Sequence, residues 1–162
     1  MRLVRQSRLH LFNIGFGGQV FVGALRAWLS GDDGWQVASR RLREACGARR
    51  GQEAEACLVR LLETLSRAAR RPLFLNQPRQ FGLSHDEWLL TQMIAAAQDE
   101  DRGALAAMLS LLLRRHEAEA NLEIVAALAE HLRRGGLRIS RHATARPPRR
   151  TDGGPERLVA CG

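Results

Sequence analysis

Along most of this chain apolar residues recur every three or four positions, the period of helices that bury one face. From Arg8 to Ser30 the polar residues Arg8, Gln19, Arg26 and Ser30 share one narrow stripe with glycines, while Leu9, Ile14, Val20, Phe21, Leu25 and Trp28 fill the rest. So thin a stripe predicts a central helix enclosed on most sides. Asp32 or Asp33 then caps a second helix bearing Trp35, Ala38, Leu42 and Cys46, and Gly47 ends it. A third helix, from about Gln52 to Arg70, carries Leu58, Leu61, Leu62 and Leu65 on one face. It closes before Pro72, because proline disfavours helix in the residue that precedes it.

Residues 72–83 show no period, and the sequence predicts an irregular loop there. Its two phenylalanines, Phe74 and Phe81, are expected to cover the core and to form a partner-docking surface. Ser84 and Glu87 have the spacing of a capping box, with Leu83 and Trp88 placed as a hydrophobic staple, so a helix starts at this point. It runs to the acidic stretch Asp99 to Asp101, whose charges suit the positive N-terminus of the helix that follows. Apolar periodicity then continues from Leu105 to Leu132 without a breaker, and a bend near His116 is expected to divide it in two. Gly135 and Gly136 stop the last helix. The expected fold is therefore all-α, an irregular bundle of five to six helices forming one domain over residues 1–134. Residues 135–162, rich in Arg and Pro and without a period, are expected to be a flexible, disordered tail.

Charge changes this picture at the ends. All 25 basic residues are Arg, none is Lys, and 17 acids leave a net charge of +8. Residues 1–50 hold nine Arg against three acids, residues 51–132 eight against twelve, and residues 133–162 eight against two. Arg133, Arg134, Arg138, Arg141, Arg146, Arg149 and Arg150 follow one another with no intervening acid, and such a run could contact phosphates in a nucleic acid or another anion. No aromatic residue interleaves with them to stack on bases, and an all-Arg usage is as consistent with coding bias as with binding.

Candidate chemistry is thin. The three cysteines form no CxxC pair, which argues against zinc or redox work and for a reducing cytoplasm; a Cys46 to Cys57 bridge is conceivable, but buried thiols are the commoner outcome. Gly15 and Gly17 resemble the start of a dinucleotide loop, yet Val20 stands where the third small residue belongs, so the glycines are expected to admit another helix instead. His116 and Glu117 begin an H-E-x-x-H motif that Ala120 interrupts, and no E-x-x-H exists, so no metal ligand set and no cofactor are expected. Ser84, His85 and Asp86 are adjacent, but consecutive residues of a helix start diverge by about 100° and cannot align as a triad. The uncharged run from Leu11 to Leu25 is shorter than the roughly 20 residues of a membrane span. Arg2, Arg5 and Arg8 with Phe12, Phe16, Phe21 and Trp28 have the residue types of an interfacial anchor, but the thin polar stripe favours packing of those rings in the core.

These readings converge on a non-enzymatic protein-interaction module, a small cytoplasmic regulatory or adaptor protein, with another protein as partner. A nucleic-acid-binding regulator using the tail arginines is the alternative, and an enzyme whose pocket is assembled from remote residues is the second. Exposed apolar residues on such bundles are also compatible with a homodimer.

Overall fold

A computed structural model of the chain describes residues 10–141 together with the backbone of Glu156 and Arg157. The fold is all-α. A single 3-10 turn, Leu11–Ile14, leads into helices α1 (Gly15–Leu29), α2 (Gly31–Cys46), α3 (Ala48–Ala68), α4 (His85–Gln98), α5 (Arg102–Leu112) and α6 (Arg115–Arg134). The one sheet among the described residues is a two-residue antiparallel pairing of β1 (Phe74–Leu75) with β2 (Glu156–Arg157).

The enclosed helix is α4, not α1 as the thin polar stripe predicts. Eleven of its 14 residues are buried, including Leu90, Met93 and Ile94, because α1, α5 and α6 all pack around it. On one side α3 and α6 form the most extensive helix pair, with Leu58, Leu61, Leu62 and Leu65 meeting the core that also holds Val125, Leu128, Ala129 and Leu132. Helix α1 begins later than its pattern suggests. The backbone N–H of Leu11 donates to Phe81 O at 2.9 Å and His10 bridges Gly82, so the loop before α4 claims the donors that an earlier helix would need.

Residues 102–134 are two helices, as the expected bend near His116 implies, with the break at Leu113 and Arg114. Both residues are extended, Leu113 bridges Ala69, and Arg70 N–H donates to Leu112 O at 2.8 Å. The end of α3 thus crosses the junction and takes the hydrogen bonds that continuous helix would have used. The Ser84 capping box is present with both reciprocal bonds.

The helix-to-tail transition is also packed. At the end of α6, Gly136 N–H donates to Arg133 O and Leu137 N–H to Leu132 O, while Gly136 adopts a φ of 85°. This is the Schellman pairing, which needs a left-handed residue, and it turns Leu137 back onto the core. Leu137 and Ile139 are buried, and the described body extends to Arg141, beyond the Gly135 where composition changes. The expected disorder of the tail concerns mainly residues 142–155 and 158–162, which lie outside the described residues. Gly17 admits a neighbour, but that neighbour is extended backbone and not a helix: a Cβ there would collide with the carbonyl of Arg138.

Candidate functional site

The loop from Arg70 to Leu83 is built on two adjacent carboxylates at the start of α4. Asp86 receives a two-pronged ion pair from Arg71, at 2.9 and 2.5 Å, and accepts from Phe74 N–H at 2.8 Å. Glu87 reaches further. It accepts from Arg26 Nε at 2.6 Å and Nη2 at 3.0 Å, from Asn76 N–H at 2.9 Å and from Ser84 N–H at 2.8 Å. Arg26 in turn donates to the carbonyls of Gln80 and Gly82, at 2.5 and 2.8 Å. Arg26 and Glu87 are both fully buried, with side chains 2% and 0% exposed. A buried guanidinium this fully paired fixes the loop's path, since each donor it commits would be costly to strand.

The two phenylalanines expected to share a docking surface differ in exposure. Phe74 is half-buried, its N–H held by Asp86 and its carbonyl accepting from the Ser84 hydroxyl at 2.5 Å. Phe81 points outward, 64% exposed, and stacks on Phe12 with ring centroids 5.7 Å apart and planes inclined by 24°. Phe12 is 70% exposed, and Phe16, in the first turn of α1, is 68% exposed. Beneath this aromatic surface lies a satellite core of Ile14, Val22 and Leu83, separate from the main one. Core packing therefore accounts for Phe21, which is buried, and largely for Trp28, packed edge-on against Trp35, but not for Phe12 or Phe16.

The tail arginines fall differently. Arg133 and Arg134 both pair with Glu130, Arg138 lies 3.6 Å from Asp99, and Arg141 pairs with Asp101 at 2.8 Å. The Ala104 N–H and then Arg141 hold the Asp101 carboxyl below the ordinary aspartate range, and Arg133 does the same for Glu130. These four guanidinium groups are thus partly neutralised within the chain. Arg146, Arg149 and Arg150 lie outside the described residues.

Other candidates resolve into structure. The Ser84 hydroxyl is committed to Phe74 O and to capping, and His85 stacks on Trp88, so Ser84, His85 and Asp86 form no triad. Cys46 and Cys57 are free thiols, both raised above their usual range by burial. Among the described residues no three His, Cys, Asp or Glu side chains gather as a metal site, and no helix is long and apolar enough to cross a membrane. A groove of about 320 Å³ runs between α5 and α6, lined by Arg70, Ala106, Ser110, Leu113, Ala118 and Leu122. Sequence reasoning missed Phe12 and Phe16 as exposed residues, because helical spacing assumed one continuous helix through them. No family of known proteins, no curated protein and no solved structure matches this chain.

Proposed function

We propose that this chain is a non-enzymatic interaction module, a small cytoplasmic regulatory or adaptor protein that works by docking and not by turnover. One observation supports the reading most directly. Phe12, Phe16 and Phe81 remain 64–70% exposed in a molecule whose main core is already complete without them. Phe12 and Phe81 stack on each other, and exposed rings paired in this way mark contact sites more often than accidents of packing. The loop that presents Phe81 is rigidly braced by Arg26 and Glu87, so little ordering entropy is lost on binding.

Another protein is the working partner this reading implies, and the groove between α5 and α6 offers a second, apolar-lined contact. The test is affinity capture with the full chain, its Phe12→Ser, Phe81→Ser double variant and its Leu122→Ser variant, a groove residue that is partly exposed, all checked for retained thermal stability. A discrete protein lost with one of the variants and retained at high salt upholds the reading. Identical capture by all three chains, or capture abolished by nuclease, sinks it.

A further inference from the structure

Resting on the docking reading, we propose that the groove between α5 and α6 receives a short acidic peptide segment of another protein, which lays apolar side chains on the groove floor and carboxylates against its arginine rim. The floor is apolar. Leu113 and Ala118 are buried in it, and Leu122 forms a half-buried wall. Ala106, Ser110 and Ala118 are small, so the two helices leave about 320 Å³ between them that no described residue fills. Two extended residues, Leu113 and Arg114, separate α5 from α6 here, and Arg114 stands exposed between the groove residues Leu113 and Arg115.

Charge at the rim selects the partner. Arg70, Arg114 and Arg115 are all exposed, and Glu119 is the one acid among the described residues that line the groove. Glu119 answers Arg115 at 3.0 Å, in a pair so exposed that water and salt leave it weak. Arg70 and Arg114 meet no carboxylate among the described residues. Arg70 is also held in place: its N–H donates to Leu112 O at 2.8 Å and its Nη1 to Ser110 O at 2.9 Å. The guanidinium is thereby fixed at the lip with its remaining donors free for an incoming carboxylate. An apolar floor inside a basic rim repels a basic segment and attracts one that mixes leucine-like residues with Asp or Glu. A nucleic acid would find cations at the rim but no aromatic ring in the groove on which to stack its bases. A cleft between two helices also matches the side-chain row of a peptide, the shape that helix-in-groove recognition uses.

A displayed library of random peptides, each about 12 residues and so long enough to set anchors at i, i+3, i+4 and i+7, is panned on the immobilised full chain to test the assignment. The enriched peptides should combine Leu, Ile or Phe with Asp or Glu and carry net negative charge. A synthetic peptide of the enriched sequence should lose affinity by about ten-fold or more with Leu122→Ser, because an anchoring wall is removed. Arg70→Gln with Arg114→Gln should lower it several-fold. Raising salt from about 50 to 500 mM should weaken the parent several-fold and this arginine variant less. Arg40→Gln with Arg41→Gln removes the same charge from exposed positions on α2 and should leave affinity unchanged, as should Phe12→Ser with Phe81→Ser. The rim variant alters exposed residues only, so it decides the matter if Leu122→Ser lowers the melting temperature. The proposal is overturned if no peptide is enriched, if the enriched peptides are basic or uncharged, or if the α2 variant weakens binding as much as the rim variant. It is overturned too if the chain sediments as a dimer that Leu122→Ser dissociates, which would give the groove to a second copy. Absence of any groove peptide, combined with loss of a captured protein in the phenylalanine variant, would strike this inference and leave the docking reading standing.

Discussion

Two stretches of this molecule lack helical period, the loop 72–83 and the segment 137–141, and opposite forces hold them in place. The loop hangs on buried charge: Arg26 with Glu87, and Arg71 with Asp86, tie its backbone to the start of α4. The later segment hangs on a neutral amide. Gln98, itself buried, donates through Nε2 to Leu137 O at 2.9 Å and accepts through Oε1 from Ile139 N–H at 2.9 Å, with the charges of Asp99 and Asp101 at the rim. A buried charge exacts a large penalty when its partner is lost, whereas a rim charge returns to water. Irregular backbone can therefore be anchored with very different sensitivity to mutation.

The largest effect should come from Arg26→Ala. It leaves the buried Glu87 carboxylate without its counter-charge and takes a donor from the carbonyls of Gln80 and Gly82, the latter keeping Asn76 Nδ2, and denaturant unfolding should show a loss of about 3–5 kcal/mol. A loss under about 1 kcal/mol would mean that water enters and re-solvates the network, and the contrast between the two stretches would collapse. Gln98→Ala comes next. It leaves one buried N–H and one buried carbonyl unpaired, so roughly 2 kcal/mol should disappear, with faster amide exchange at Ile139 as the local signature.

A smaller change should run the other way. Glu100 holds the left-handed position in the Schellman pairing at the end of α4, with φ 59°, Glu100 N–H donating to Ala97 O and Asp101 N–H to Ala96 O. Glycine adopts that conformation freely, so Glu100→Gly should raise stability by about 0.5–1 kcal/mol, read as an increase in melting temperature. The rim should reveal itself through pH. Because the folded Asp101 carboxyl titrates below its ordinary range, its contribution is present above that range and is lost as pH falls through the depressed value. Asp101→Asn should remove that contribution, so its stability should lie slightly below the parent's in the neutral region and converge with it at low pH, giving a flatter acid limb. Smallest of all, Phe12→Ser and Phe81→Ser should each move stability by no more than about 0.5 kcal/mol. A larger loss would mean that the rings serve the fold, and the surface would lose its claim to a separate role.

Local signals in the sequence were sufficient for much of the architecture. The leucines of α3 and α6, the Ser84 capping box and the stop at Gly47 are short-range features, each decided within a few residues by periodicity or by an orphan N–H finding its acceptor. The sequence pattern did not tell the two loop phenylalanines apart, whereas in the fold Phe81 is exposed and Phe74 is half-buried with its backbone N–H held by Asp86. Asp86 and Glu87 illustrate why. Their place at a helix start is explained locally by the dipole, and nothing in the spacing tells that Arg26, 61 residues before Glu87, and Arg71 arrive from other elements to bury them.

The same division applies to the ends of the chain. Sequence by itself determined a helical bundle, its capping and its excess of arginine, because these depend on residue type and near-neighbour spacing. Tertiary structure alone decided that α4 and not α1 is enclosed, that residues 137–141 belong to the body, and that Phe12 meets Phe81 across 69 positions of chain. Burial is settled by which elements converge on a residue, and that convergence is a non-local property the one-dimensional pattern does not contain.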